Sequence, residues 1–142
     1  MSALRISHTL RPEDLTVVHQ YLSGQAYWSR GIPLETLRRA VAHSLCFAGF
    51  QDESLVAFAR VISDYATFAN LVDVFVLPAY RGQGLARELM QAVLEHPQLQ
   101  GLRRFTLATG DAHGLYGKYG FTPLAHPERF MERYDPGVYA AP

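Results

Sequence analysis

The chain has 142 residues, 49% of them apolar and 18% charged, which suits one globular domain with a sizeable core and excludes a disordered chain. Thirteen basic residues balance thirteen acidic ones, so no general nucleic-acid or membrane surface is expected, and any anion site must be local. The lone Cys46 excludes an intrachain disulfide, the scattered histidines give no paired ligand spacing for a metal, and the lack of a membrane span or signal-peptide core points to a soluble, cytoplasmic protein.

In chain order, Leu4 to Leu10 reads as a first strand. Arg11-Pro12-Glu13-Asp14 opens a helix, with proline in the first turn and two carboxylates where the helix dipole favours them. Leu15, Val18 and Leu22 form its buried stripe, and Gly24 fits its end. Residues 23 to 33 are a loop carrying Tyr27, Trp28 and Arg30, and Pro33 starts a second helix on the stripe Leu34, Leu37, Val41. Leu45 to Phe50 and Leu55 to Ile62 read as strands around a polar turn, and a second turn at Ser63-Asp64-Tyr65 leads into the next strand. That strand, Leu71 to Leu77, is apolar on both alternating faces except at Asp73, which predicts burial on both sides, and Pro78 ends it. A helix over 84 to 95 follows, with Leu85, Leu89 and Val93 spaced four apart. Arg104 to Ala108 is a strand, about 111 to 118 a short helix, and Phe121 to Leu124 with Phe130 to Arg133 a closing pair of strands before a loose tail from Asp135. Consecutive strands followed by alternating strand and helix imply a mixed sheet, antiparallel early and parallel around the helix of 84 to 95.

The organising stretch is 71 to 90. A buried strand, a turn with Gly82 and Gly84 and a helix opening aim unpaired N–H groups and a partial positive charge at one point, which suits a phosphate. A P-loop is excluded because Leu85-Ala86 follows Gly84 where Lys-Ser/Thr is required. A dinucleotide fingerprint fails at Arg87 and lacks the chain needed for further strand–helix repeats. The hexamer Arg81-Gly82-Gln83-Gly84-Leu85-Ala86, preceded by Val76-Leu77-Pro78, resembles the Arg/Gln-x-x-Gly-x-Gly/Ala signature of the GNAT superfamily of acyl-CoA-dependent N-acyltransferases.

That resemblance covers nearly the whole chain. It implies an α/β (α+β) GNAT-like fold over a single domain, residues 1–142, with a mixed, mostly antiparallel sheet of about six to seven strands flanked by about four helices. It also implies acetyl-CoA as co-substrate, no metal, and transfer of the acetyl group to a primary amine by direct attack in a ternary complex. In relatives the central strand is bulged and splayed, and the pantetheine arm fills the gap. On this chain the corresponding backbone groups are those of Val74, Phe75 and Val76, with the pyrophosphate on the amides of Gly82, Gln83, Gly84, Leu85, Ala86 and Arg87. Arg81 and Arg87 are expected phosphate partners, or else solvated charges at the helix start.

A second segment, Leu115-Tyr116-Gly117-Lys118-Tyr119-Gly120-Phe121, is similar to the family's Leu-Tyr-x-Lys-x-Gly-Phe element. The match gives Tyr116, not Tyr119, the role of protonating the departing CoA thiolate. A phenol of reference pKa about 10 is protonated at neutral pH and can do this, the alternative being that Tyr116 is a core aromatic of an amphipathic helix. The asparagine often found seven residues earlier in relatives is Thr109 here.

An amine acceptor of pKa near 10 is roughly one part in a thousand neutral at pH 7, so a base is needed. Asp73, the odd residue in its strand, is the expected base or else an aspartate that caps a neighbouring turn, with Asp64 and His113 as further candidates. Tyr27, Trp28, Arg30, Tyr65, Phe68 and Phe130 are expected around the acceptor mouth, either as an aromatic pocket for the amine or as a cover over the core. The expected partners are a small-molecule amine and, as an option, a second copy in a homodimer, with no nucleic acid and no membrane. Two other readings stand beside the leading one: a CoA-binding or sensor module without turnover, and an acetyltransferase acting on a protein N-terminus.

Overall fold

The computed structural model describes residues 3–140, which form β1 (Arg5–Ser7), α1 (Pro12–Gly24), α2 (Leu34–Ala42), β2 (Leu45–Gln51), β3 (Ser54–Ser63), β4 (Phe68–Val76), α3 (Leu85–Glu95), β5 (Arg104–Leu107) and α4 (His113–Gly117). The strands make one mixed sheet in the order β1-β2-β3-β4-β5, antiparallel except between β4 and β5, which run parallel. The parallel pair brackets α3, as expected.

The sheet has five strands among the described residues, where six to seven were expected. The difference lies at the end of the chain. Pro123 interrupts the first of the two segments read as closing strands, and a 3-10 turn at Pro127–Arg129 occupies the connection between them. Phe121 and Phe130 still reach β5, through ring contacts to Phe105 and to the Arg104 guanidinium instead of ladder hydrogen bonds. At the other end β1 is shorter than Leu4–Leu10, because Ser7 and Thr9 hydrogen-bond one another in a bend. The tail from Asp135 is anchored at Tyr139, which packs against the first core cluster.

The sheet separates two cores. Leu22, Leu37, Phe58 and Phe75 pack on the α1/α2 side, and Phe47, Val61, Leu71, Leu89 and Val93 on the α3 side. A fully buried Leu or Phe contributes roughly 1.5–3 kcal/mol relative to its exposed state. α3 supplies the predicted Leu85, Leu89 and Val93, together with Met90. Strand β4 changes sides within its own length. Between the pairs Arg60↔Val72 and Phe58↔Phe75 it has one more residue than β3, a bulge at Asp73 and Val74, with Asp73 at φ +59°. The extra residue breaks the two-residue alternation, so Leu71 faces α3 and Phe75 faces α1. Val74 and Val76, half-buried, still pack against the α3-side cluster, so beyond the bulge β4 is covered on both faces, as expected.

Candidate active site

Beyond the bulge, β4 and β5 part. Their pairing runs from Phe68↔Arg104 to Leu71↔Leu107 and stops, while β4 continues to Val76. The gap is the floor of a cavity of about 600 Å³. Residues from Val72 to Val76 line one wall, Leu107 to Thr109 and Tyr116 the other, the 80–86 turn one end, and Tyr27 and Trp28 the roof.

The 80–86 end is built for an anion. Gly82 and Gly84 have φ of +84° and +78°, the left-handed region that glycine enters without strain. Gly84 is the N-cap of α3 and no side chain caps that helix, so the first-turn N–H groups of Leu85, Ala86 and Arg87 have no acceptor within it. A Cβ at Gly82 would meet nothing within 4 Å, which leaves room for close approach to the backbone. Arg87 folds back over the turn, its Nη2 2.9 Å from where a Cβ at Gly84 would stand. Arg81 donates from Nε to the Val76 carbonyl (3.0 Å) and from Nη2 to the Tyr21 hydroxyl (2.9 Å). It therefore braces the turn against the end of β4. Neither arginine forms an ion pair among the described residues, and both positive charges are left for an anion. Gln83 turns away, accepting a hydrogen bond from Gln51.

Tyr116 stands at the other end, on α4, with its ring edge-on to Phe121. Burial, reinforced by Asp111 and Tyr27, pushes its phenol above the usual tyrosine value, so it is protonated throughout the neutral range. Tyr119 does not line this cavity and faces a second groove beside β5. Thr109, at the position of the expected asparagine, accepts a hydrogen bond from the Ala112 amide (3.1 Å) and so shapes the entry to α4.

Asp73 is 6% exposed, and both of its oxygens are engaged. Oδ1 accepts from Trp28 Nε1 at 2.8 Å and Oδ2 from Arg60 Nε at 2.9 Å, while Arg60 also donates to Ser44. A proton taken up there would have to disturb an ion pair shielded from water. That geometry favours a positioning role over the expected base role. Asp64 belongs to a turn: it accepts from the amides of residues 66, 67 and 68 and from the Thr67 hydroxyl, which hold its carboxyl well below the usual range. His113 lines the second groove, not the cavity.

Of the expected acceptor residues, Tyr27 and Trp28 line the cavity, and Arg30, Tyr65, Phe68 and Phe130 do not. Tyr65 and Phe68 are at the β3–β4 turn, at the far end of β4 from the bulge, and Phe130 is beneath Arg104. Tyr27 accepts a hydrogen bond from the Gly110 amide (2.8 Å) and meets Trp28 edge-on. Three contributors were not singled out from the sequence: Arg60, Tyr21 and Asp111. Arg60 did carry a signal, as the one charge in the apolar run of β3, matching the one charge in β4.

Residues 8–121 match the model of the Acetyltransferase (GNAT) family. A crystal structure from Xanthomonas campestris pv. campestris, of an acetyltransferase assigned to that family, is 56% identical, with a TM-score of 0.94 over 99% of both chains. An uncharacterised ycf52-like N-acetyltransferase of Prochlorococcus marinus is 32% identical over 80% of this chain. Rv2747 of Mycobacterium tuberculosis, solved in complex with CoA and NLQ, shares the fold at 18% identity, with a TM-score of 0.66 over 84% of this chain and 72% of its own. The matched region spans 65% of the Prochlorococcus protein and 65% of a curated relative from Gibberella zeae.

Proposed function

The chain belongs to the GNAT family of acetyltransferases, and from that premise we propose that it moves an acetyl group from acetyl-CoA to the primary amine of a small molecule by direct attack in a ternary complex. The observation that carries this reading is one continuous cavity with an uncapped helix start and two unpaired arginines at one end and a protonated, half-buried phenol at the other.

The residues fit the co-substrate. The amides of Leu85, Ala86 and Arg87, open space at Gly82 and the charge of Arg87 suit a pyrophosphate. The splayed edge of β4 over Val74, Phe75 and Val76 offers backbone groups to an extended amide-bearing arm. The Val76 carbonyl already accepts from Arg81 and has one lone pair left for such an arm. In the reaction the amine nitrogen bonds to the thioester carbon and the carbon–sulfur bond breaks. Tyr116 donates its proton to the departing sulfur, and the amine's surplus proton leaves to solvent or to a carboxylate. Asp73 and Asp111 are the two carboxylates at the cavity. Asp111 is exposed and free to exchange with water, so it is the better proton acceptor, while Asp73 holds the roof.

The roof also favours a small acceptor over a protein terminus, because Tyr27 and Trp28 close over the gap where a peptide would need an open trench. Turnover of acetyl-CoA against a panel of amines, read as thiol release, tests the proposal. Tight binding of CoA with no thiol release on any amine would replace it with a sensor role.

A further inference from the structure

We infer that the acceptor is a cationic amine with no carboxylate or phosphate beside its amino group, and that Asp111 makes this selection. The inference rests on the proposed acetyl transfer for the division of the cavity into a co-substrate part and an acceptor part.

With a pyrophosphate at the 80–86 turn and an extended arm along Val74 to Val76, three pieces are left for the acceptor. They are the stretch of β4 from Asn70 to Asp73, the roof of Tyr27 and Trp28, and the chain from 109 to 112. Among the described residues, the charged side chains that line the cavity are Arg81, Asp73 and Asp111. Arg81 belongs to the co-substrate end, braced on the Val76 carbonyl and the Tyr21 hydroxyl. Asp73 is matched by Arg60 at 2.9 Å. Asp111 is exposed and forms no ion pair among the described residues, and the nearest hydroxyl bonded to it is that of Thr109, at 3.5 Å. The acceptor part therefore holds one unmatched charge, and that charge is negative.

The uncharged groups around it also suit a cation. Tyr27 brings its hydroxyl to the Gly110 amide, one residue from Asp111, and stands edge-on to Trp28 with ring centroids 5.1 Å apart. Both rings are exposed at the mouth, where a ring face attracts an ammonium and Asp111 adds a full opposite charge. Asp111 is also near enough to Tyr116 to raise its phenol, so a cation drawn there arrives beside the group assigned to the departing sulfur. A carboxylate or phosphate on the acceptor meets the opposite situation. It would give up water, face Asp111, and find no free cation in return. Arg60 does not supply one, because it is committed to Asp73 and to Ser44 and does not line the cavity. Asn70, whose Oδ1 accepts from the Thr106 hydroxyl at 2.8 Å, is neutral.

The test is titration calorimetry on the full chain saturated with CoA, using amines and the amino acids that differ from them by one carboxylate. Phenethylamine is compared with phenylalanine, and pentylamine with norleucine. Each amine should bind roughly tenfold or more tightly than its amino acid, and raised salt should shrink the ratio, because Asp111 is exposed. Asp111→Asn keeps the shape of the side chain and removes its charge. It should weaken the amines and cut both ratios by about fivefold, with CoA affinity, measured first, showing that the site is intact. Asp111→Lys supplies the missing cation and should turn the preference towards the amino acids. A residue that serves the reaction without selecting the acceptor would leave the ratios where they were. Amino acids that bind as tightly as the amines, ratios untouched by Asp111→Asn, or no binding of either compound would each overturn the inference. Thiol release from acetyl-CoA is read separately: selective binding without turnover would remove the transfer reaction and leave the selection by Asp111 standing.

Discussion

Trp28 Nε1 donates a 2.8 Å hydrogen bond to Oδ1 of Asp73, tying the loop between α1 and α2 to the bulge of β4. One residue earlier, Tyr27 accepts from the Gly110 amide just beyond β5. The loop is thus fastened to both strands where they part, and it spans the gap that they leave. Its conformation and the width of the gap are set together, which makes the roof part of the site and not a cover over it.

Trp28→Phe keeps an aromatic roof but leaves Asp73 Oδ1, a buried acceptor, without its donor. A stability loss of about 1–3 kcal/mol is expected from that unsatisfied group. Because Trp28 is tied to the bulge at Asp73 and not to the 80–86 turn, kcat/KM for the amine should fall roughly tenfold, while calorimetry should show CoA affinity unchanged. A matching loss of CoA affinity would mean that the roof serves the co-substrate instead.

Gly84→Asp attacks the anion end. The residue sits at φ +78°, and a Cβ there would come within 2.9 Å of Arg87 Nη2. Displacing Arg87 and adding a negative charge at an uncapped helix start should abolish measurable CoA binding, with a strain cost of about 1–2 kcal/mol in the fold. A folded variant that binds CoA like the wild type would remove the pyrophosphate from this turn.

The anion end was legible in the sequence because its chemistry is local: the strand, the glycines and the helix opening are consecutive. The roof was only half legible. Tyr27 and Trp28 reach the cavity, whereas Tyr65 and Phe68 are at the other end of β4, since a turn at 64–67 places them a full strand away from the bulge. Whether an aromatic faces a site or solvent depends on strand direction and register, which no run of apolar residues records. The same holds for Asp73. Its oddness in the strand was visible, but its partner Arg60 is in another strand, and a bulge sets the register that joins them. The expected final strands failed for a local reason, since Pro123 within the first segment and the 3-10 turn at Pro127–Arg129 between the two keep them from pairing among the described residues.

Tyr116→Phe should keep CoA affinity and lower the maximal rate roughly tenfold or more, as loss of a general acid does. Tyr119→Phe should cost much less, because Tyr119 faces the groove and not the cavity. The pH dependence has a definite sign. With the Tyr116 phenol raised above its usual value of 10.0, the acid form is complete at neutral pH and is lost only as pH climbs past that raised value. The rate limb assigned to it should therefore lie on the far alkaline side and vanish in Tyr116→Phe. Equal losses at both tyrosines in steady-state assays would count against the assignment.

Asp73→Asn separates a proton acceptor from a brace. Asparagine tolerates the left-handed backbone at φ +59°, and its oxygen can still accept from Trp28, but its NH2 group would confront the Arg60 Nε donor. The Arg60–Asp73 pair is nearly dry, with side-chain exposures of 12% and 5%, so removing one charge leaves the other uncompensated at a cost of about 3–5 kcal/mol. Restoring neutrality with Arg60→Met alongside Asp73→Asn should recover most of that stability while keeping the Trp28 bond. If Asp73 is a brace, the single variant loses rate by the same factor at every pH and melts lower, and the double variant regains both. If Asp73 takes the amine proton, the double variant melts like the wild type yet stays slow at neutral pH, and it recovers only as rising pH frees the amine by itself. Rate–pH profiles of the three proteins on one good amine, with thermal melts alongside, decide the matter, and the two bonded oxygens of Asp73 lead us to expect the first pattern.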